Sequence, residues 1–189
     1  MVQTSAPPAT LKAFLALPET KPASEYIQGR IIQKPMPQGK HSTIQRDFTV
    51  AVETALKPRG IGRAFPELRC TFGDRSIVPD VSVFISSHIP RNLDGTIANQ
   101  FTIPPDWAIE ILSPGQSQTQ VTKNIVHCLQ HGTQMGWLID PDEQTILIHY
   151  PKRRLEIFDW SSQHEQLPVP QFAKIVSLTV RQIMDWLIN

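Results

Sequence analysis

Cysteine is scarce in this chain, and its six histidines form no close metal pair. The two cysteines, Cys70 and Cys128, lie far apart and match no metal-ligand spacing such as Cys-x-x-Cys. We therefore expect two buried thiols in a reducing compartment. His127 and His131 are four residues apart on a predicted helix, but no nearby glutamate completes the order found in zincins. The sequence thus gives little support for a zinc site.

An excess of one charge and long apolar runs are also missing. The chain has 18 basic and 17 acidic residues, so it lacks the strongly basic balance of many nucleic-acid-binding domains, although a local basic groove is not excluded. No apolar run approaches the length of a membrane helix. Residues 1–10 lack the basic-then-apolar pattern of a secretion signal, which predicts a cytoplasmic protein. A chain of 189 residues, 40% of them hydrophobic, suits one compact domain.

Two apolar runs, each carrying one carboxylate, are the most informative stretches that are present. Residues 77–85 contain Asp80, and residues 107–112 contain Glu110. Both runs are short, rich in β-branched or aromatic residues and bounded by turn formers, so both are predicted strands. A buried acid is costly unless it is paired, hydrogen-bonded or bound to a cation. Adjacent strands would bring Asp80 and Glu110 within reach of one Mg²⁺ ion with oxygen ligands.

Each of these acids also has a purely structural interpretation. Asp80 follows a proline and could cap a turn, and Glu110 could belong to a buried salt bridge. The two acids occur together, however, and a lysine, Lys123, follows them on a predicted helix. This combination favours a functional site.

The remaining elements alternate between helices and strands. Apolar positions at intervals of three and four predict helices, and short β-branched runs predict strands. A crossover around residues 110–140 should be right-handed and should make the strands on either side of it parallel. The resulting fold class is α/β (α+β), with a mixed central sheet flanked by helices. Helices are predicted over residues 10–17, 41–56, 121–131 and 179–188, a hairpin or bent strand over 26–33, an extended segment over 62–72, a strand over 135–141 and a hairpin over 145–158.

The first long predicted helix carries polar residues near its start. Ser42 is the expected N-cap. His41 and Gln45 lie on one side of the helix and are interpreted as surface or cap residues, although they could face a ligand.

Two connecting segments also carry expectations. Alternation along residues 62–72 places Glu67 and Arg69 on one face, and Glu67 and Asp80 could lie on adjacent antiparallel strands. The connection over residues 86–105 is unusually long for a compact domain, and such loops often serve as lids or binding loops.

Several short motifs, in this order and spacing, resemble the Uma-two family of restriction-type endonucleases. That family is counted in the PD-(D/E)XK nuclease superfamily. The resemblance covers roughly residues 25–141, most of the chain. It rests on Glu25-Tyr26-Ile27-Gln28-Gly29, His41, Val78-Pro79-Asp80-Val81-Ser82-Val83, Ile109-Glu110-Ile111-Leu112-Ser113-Pro114 and Gly136-Trp137-Leu138-Ile139-Asp140-Pro141.

The resemblance implies a restriction-endonuclease-like core with a divalent-metal site at one end of the sheet. The expected domain spans residues 23–189, preceded by a tail and short helix over residues 1–22. Asp80 and Glu110 match the family's metal-binding acids, and the carbonyl of Ile111 would complete the shell around Mg²⁺ or Mn²⁺.

The resemblance also implies a catalytic lysine on the helix after the second acid. Leu112 stands where the superfamily motif carries its lysine, and Lys123 is the candidate on the helix. In the family pattern the helix lysine usually lies one position later, where this chain has Asn124. Cys128 is nearest to the place of the family's helix tyrosine.

Two further glutamates are candidate site residues. Glu67 would bind a second ion or hold Lys123 or Arg69, with a plain surface pair as its alternative. Glu25 belongs to a segment that matches the family and would reach the site from the opposite side.

The function expected from this resemblance is Mg²⁺-dependent hydrolysis of phosphodiester bonds in DNA. Candidate DNA contacts are Lys34, Lys40 and Arg46. A homodimer is a possible assembly. Two alternatives stay open. One is a catalytically inactive nuclease-fold module that binds nucleic acid or a protein partner. The other is a structural module that dimerises through residues 144–158.

Overall fold

The computed structural model describes residues 10–188, so the first nine residues of the expected tail lie outside the described residues. Short 3₁₀ turns join several of the regular elements. No described helix is long and apolar enough to cross a membrane. The helices are α1 (Leu11–Leu15), α2 (Gly39–Leu56), α3 (Gln118–Gln130) and α4 (Val180–Asp185), and the strands are β1 (Ser24–Ile27), β2 (Arg30–Gln33), β3 (Gly62–Pro66), β4 (Cys70–Phe72), β5 (Arg75–Ile77), β6 (Val81–Ile85), β7 (Trp107–Ile111), β8 (Met135–Asp140), β9 (Thr145–His149) and β10 (Leu155–Phe158).

The larger sheet has six strands in the order β10-β9-β8-β7-β6-β3. All neighbours are antiparallel except β7 and β8, which are parallel and are joined by α3. Parallel neighbours need such a crossover because a hairpin can join only antiparallel strands. The predicted mixed sheet flanked by helices is therefore confirmed, as is the predicted hairpin of β9 and β10.

The smaller sheet is antiparallel, in the order β2-β1-β5-β4. Strands β1 and β2 form the predicted hairpin, whose two turn residues, Gln28 and Gly29, have φ values of 50° and 80°. Positive φ at both positions gives the twist that a two-residue hairpin requires.

The predicted extended segment over residues 62–72 is interrupted and forms two strands, β3 and β4. The chain turns at Glu67, which has a φ of 47°, so that β3 joins the larger sheet and β4 joins the smaller one. Alternation predicts which residues share a face only while the backbone stays extended. The turn therefore separates Glu67 from Arg69, which pairs instead with Glu19 at 2.6 Å between Nη2 and Oε2.

The main core lies between one face of the larger sheet and helices α2 and α4. Phe48 of α2 is fully buried and meets Trp107 and Trp137 edge-on, with ring centroids 5.4 and 5.7 Å away. Alternate residues of β6 and β7 (Val81, Val83, Trp107, Ile109 and Ile111) belong to this core. Because side chains alternate along a strand, the residues between them face α3 and the smaller sheet.

Two local predictions differ from the structure. Helix α2 begins at Gly39 with Gln38 as its N-cap, so Ser42 lies inside the helix and does not cap it. The 86–105 loop packs into a second core through the buried Ile89 and Phe101. It contributes no residue to the lining of the cleft at Asp80, and it is therefore not a lid over that cleft.

Gly136 is required where β8 passes under α3. An added Cβ would lie 2.2 Å from Cγ2 of Ile125, a β-branched side chain with little rotamer freedom. We expect Gly136→Ala to lower the free energy of unfolding by about 1–3 kcal/mol, the usual cost of overpacking. Urea denaturation followed by circular dichroism measures this change.

A matched control and a second background make the Gly136 test specific. Gly39→Ala adds a methyl group with nothing within 4 Å and should change stability by less than about 0.5 kcal/mol. In an Ile125→Ala background the cost of Gly136→Ala should largely disappear. An equal cost in both backgrounds would show that this contact is not its cause.

Candidate active site

The two acids found in the sequence lie side by side at one end of the larger sheet. Asp80 directly precedes β6, and Glu110 lies within β7. Val81 pairs with Ile109, so the antiparallel register continues to place Asp80 opposite Glu110. Both are buried, with exposures of 2% and 3%. The structure therefore brings together the two residues on which the sequence analysis depended most.

Lys34 supplies the positive charge between these acids. Its Nζ lies 2.6 Å from Oδ1 of Asp80 and 3.6 Å from Oε2 of Glu110, and it donates a hydrogen bond of 2.8 Å to the Val78 carbonyl. From the sequence, Lys34 is a candidate DNA contact along the cleft. The structure instead places its ammonium group inside the acidic cluster.

The charge balance around Lys34 shifts two pKa values in opposite directions. Burial alone would lower the pKa of Lys34, but the negative charges of Asp80, Glu110 and Glu25 outweigh it and raise that pKa. Burial alone would raise the pKa of Asp80, but Lys34 and the hydrogen bond from His41 outweigh it and lower that pKa. Lys34 and Asp80 therefore form a charged pair.

Glu110 behaves differently from Asp80. Burial is the main cause of its raised pKa; Lys34 opposes the rise, and Asp80 and Glu25 add to it. Burial likewise raises the pKa of Glu25, against the opposing effect of Lys34. One ammonium group cannot neutralise three buried carboxylates, so the cluster favours a proton on Glu110 unless another cation enters.

Glu25 holds two parts of the site together. Its Oε1 accepts a 2.8 Å hydrogen bond from the Val78 amide, and its Oε2 accepts a 3.0 Å bond from Nδ2 of Asn124. Asn124 is buried, and its Oδ1 has no hydrogen-bond partner within residues 10–188. Glu25 lies on β1 of the smaller sheet, so it reaches the acidic pair from outside the larger sheet.

Helix α2 contributes two polar side chains that position Asp80. Nε2 of His41 lies 3.1 Å from Oδ2 of Asp80, and Nε2 of Gln45 donates a 2.9 Å bond to the Asp80 carbonyl. His41 is 5% exposed, so the interpretation as a surface or cap residue is wrong. Its buried Nδ1 has no partner among the described residues, which fits a tautomer that carries the proton on Nε2.

Lys123 is not part of this cluster. It is exposed on α3, whereas its neighbour Asn124 is buried against Glu25. Successive helix residues are about 100° apart around the axis, which explains why a shift of one position removes Lys123 from the acids. The helix position that faces the site holds an amide, and the ammonium group comes from Lys34.

The other two predicted residues lie at the edge of the acidic pair. Glu67 is exposed and lines the cleft together with Lys34, His41 and Asp80, and its backbone amide donates a 3.1 Å bond to the Asp80 carbonyl. The backbone amide of Ile111 donates a 2.7 Å bond to Oδ2 of Asp80. The carboxylate of Glu67 is therefore at the mouth of the cleft and not in its interior.

The donor set matches what Mg²⁺ takes from a protein that also binds a phosphate. Among residues 10–188, no group of three or more His, Cys, Asp and Glu side chains could hold a metal by itself. Mg²⁺ commonly uses only one or two carboxylates and completes its shell with waters and substrate phosphates. Asp80 and Glu110 are two carboxylates of this kind, and the pKa of Glu110 is raised mainly by burial and further by the charges of Asp80 and Glu25.

Comparisons with known proteins identify the family and the fold of the chain. Residues 11–181 match the family model Uma2, described as "Putative restriction endonuclease". A crystal structure at 1.96 Å resolution of "a putative nuclease belonging to DUF820" from Anabaena variabilis ATCC 29413 is 61% identical in sequence, with a TM-score of 0.93. The match covers 95% of this chain and 99% of that one. A comparison with curated proteins gave no match.

Proposed function

Because the chain belongs to the Uma2 family of restriction-endonuclease-like nucleases, we propose that it is a metal-dependent endonuclease that hydrolyses phosphodiester bonds in DNA. The observation that supports this most is the pairing of Asp80 and Glu110 across adjacent strands, with Lys34 2.6 Å from the first. Two acids and a lysine at a cleft provide the charges that phosphodiester hydrolysis requires.

Asp80 and Glu110 are the residues that would hold Mg²⁺ or Mn²⁺, with the Ile111 carbonyl as a third ligand. When bound, the ion would neutralise charge on the phosphate and lower the pKa of a water molecule. Asp80 already has its carboxylate fixed by the Ile111 amide and by His41. This fixation orients the ligand before any substrate arrives.

Lys34 is the proposed catalytic lysine. Its raised pKa keeps the ammonium group charged at all physiological pH values, so it acts as a fixed cation and not as a base. A preorganised cation in a site shielded from water stabilises developing negative charge strongly. The Lys34 side chain is 16% exposed and lines the cleft.

The surrounding residues have positioning roles in this proposal. Glu25 and Asn124 fix the backbone at Val78 and thereby the start of β6. His41 holds Asp80, and Glu67 at the cleft mouth would bind a second ion. Cleavage of both strands would need two sites, which a homodimer would provide.

A second candidate function is a nuclease-fold module that binds nucleic acid without cutting it. The observation in its favour is that Lys34 itself neutralises Asp80 at 2.6 Å, so the cluster holds together without a metal. The two candidates differ in one respect: only the nuclease requires a divalent cation to bind at Asp80 and Glu110.

Calorimetric titration with Mg²⁺ and Mn²⁺ together with a cleavage assay tests the proposal. Wild-type protein should nick supercoiled plasmid DNA with Mg²⁺ or Mn²⁺ and not with EDTA. The double variant Asp80→Asn, Glu110→Gln should lose both cleavage and the cation-binding heat, because its amides replace both anionic ligands.

Asp142→Asn is the matched control for this test. Asp142 also pairs with a lysine, Lys40, at 2.6 Å, but its side chain is 56% exposed, so its loss should leave cleavage unchanged. The cation titration is repeated in the presence of an uncleavable phosphorothioate duplex. This second titration detects an ion that binds only when phosphate oxygens complete its coordination shell. DNA binding without cleavage or cation binding, in every condition, would favour the inactive module.

A further inference from the structure

A groove beside the acidic cluster is lined by three basic side chains and no acidic one. It has a volume of about 520 Å³ and lies between the β1–β2 hairpin and the first half of α3. Its lining residues are Ile27, Gln28, Arg30, Ile32, Arg75, Gln120 and Lys123. The polar and cationic content of this lining is typical of a surface that binds an anion.

The three cations of the groove have no counter-charge. Arg30, Arg75 and Lys123 form no ion pair among the described residues, and the one hydrogen bond that joins them runs from Arg75 to the Lys123 carbonyl at 3.5 Å. A cluster of unpaired like charges is unfavourable in the free protein. This arrangement therefore suggests that the groove has an anionic ligand.

The cations that the sequence suggested for DNA contact are in a different state. Lys40 pairs with Asp142 at 2.6 Å, and Arg46 pairs with Asp47 at 2.7 Å. Each of these charges is already neutralised by a neighbour. Compared with Lys40 and Arg46, the three cations of the groove therefore offer their full charge to a ligand.

Two elements, β1 and α3, contribute residues both to the groove and to the acidic cluster. Ile27 lies two residues after Glu25 on β1, so their side chains share one face of the strand. Lys123 precedes Asn124 on α3, and Asn124 bonds to Glu25. Glu25 and Asn124 thus form the boundary between the groove and the site at Asp80.

We propose that this groove binds the phosphodiester backbone of the nucleic acid next to the bond that is cut. The proposal rests on the nuclease function proposed above and deepens it, because it states where the substrate strand lies. Arg30, Arg75 and Lys123 each contact a phosphate, and the strand runs from the groove, over the buried Glu25, to the cleft at Asp80. These contacts are electrostatic and carry no base specificity.

Salt dependence of binding measures such contacts directly. Fluorescence anisotropy with a short labelled duplex DNA, in EDTA and over a range of NaCl concentrations, gives the slope of log Kobs against log salt. Each lost phosphate contact should make that slope shallower by about 0.9. We expect this change for each of Arg30→Gln, Arg75→Gln and Lys123→Gln, and a change of about 2–3 for the triple variant.

Lys57→Gln and Lys174→Gln are matched controls. Both lysines are exposed and have no ion pair among the described residues, and neither lines the groove. Lys57 follows the end of α2, about 24 Å along the helix from His41. Each control should keep the wild-type slope, and circular dichroism checks that all variants are folded.

The outcomes separate this proposal from the nuclease proposal. Shallower slopes for the groove variants support the groove even if no protein cleaves DNA. Wild-type slopes for the triple variant overturn it even if the wild type is an active nuclease, and so does the absence of any DNA binding by the wild type. The same titration with a labelled single-stranded RNA tells which nucleic acid the groove prefers.

Discussion

Lys34→Met should lower kcat for DNA cleavage by about 10²–10³-fold, the usual loss when one preorganised charge-stabilising group is removed. Methionine keeps the length and apolar stem of lysine and removes only the ammonium group. In wild-type protein that group lies 2.6 Å from Asp80 and 3.6 Å from Glu110. Single-turnover cleavage at saturating DNA measures the loss without interference from binding.

The same variant should be less stable without metal. Removing one partner of a buried ion pair costs about 3–5 kcal/mol. Among the described residues, Lys34 is the only lysine or arginine in contact with Asp80 and Glu110. Mg²⁺ should therefore raise the melting temperature of Lys34→Met more than that of wild type, because the ion replaces a missing charge.

Two further variants distinguish Lys34 from the lysine that the sequence pattern indicated. Lys123→Met should raise KM and keep kcat, because Lys123 lies in the groove and not among the acids. Lys34→Met combined with Asn124→Lys should recover part of kcat, since Nδ2 of Asn124 already lies 3.0 Å from Glu25. Loss of kcat in Lys123→Met with normal kcat in Lys34→Met would contradict the assignment.

The acids were predictable from the sequence because their signal is local. Asp80 and Glu110 each interrupt a short β-branched run, and two apolar runs with acids in them are uncommon enough to be noticed. The run over residues 77–85 is not one strand, however, because Asp80 lies between β5 and β6. The pairing of the two acids followed from strand adjacency alone. The fold class followed from the order of helices and strands, which depends on periodicity over short windows.

Lys34 could not be assigned to the acids in the same way. It lies 46 residues before Asp80 in the sequence, and it follows an exposed strand in a segment with two prolines. Nothing in its neighbours distinguishes a buried ammonium group from a solvated one. Only the docking of the smaller sheet on the larger one brings its side chain to the acids.

His41 and Glu67 illustrate the same limit on a smaller scale. Helix periodicity predicts the apolar face of α2 but does not tell which of its polar residues are buried. His41, which contacts Asp80, is only 5% exposed. A turn at Glu67, with a φ of 47°, has no marker such as glycine or asparagine. Both residues are placed by tertiary contacts that local propensity does not report.

The shortage of positive charge in the cluster leads to a further expected result. Glu110→Gln should make the metal-free protein more stable at pH 8, by about 1 kcal/mol, and should abolish cleavage. Functional sites commonly trade stability for activity in this way. Glutamine keeps the shape of the side chain and removes the charge that burial, Asp80 and Glu25 disfavour.

The sign of the pH dependence follows from the raised pKa of Glu110. Between its ordinary value of 4.5 and the higher folded-state pKa, the folded protein binds more protons than the unfolded chain. Stability must therefore fall as pH rises through that window. Glu25 has the same sign, whereas Asp80, with a lowered pKa, loses its stabilising contribution only below 3.8.

Urea denaturation in EDTA at pH 5 and pH 8 tests this expectation. Wild type should lose more stability, or gain less, than Glu110→Gln between the two values. Glu25, with a raised pKa, and two histidines, with lowered pKa values, act on both proteins alike, so the comparison isolates Glu110. Mg²⁺ should reverse the order at pH 8, because only the wild type keeps both carboxylates for the ion. Glu143→Gln, an exposed carboxylate on a turn, controls for the change in net charge. If Glu110→Gln were less stable than wild type at pH 8 in EDTA, Glu110 would be ionised and satisfied by Lys34, and the cluster would have no need of a second cation.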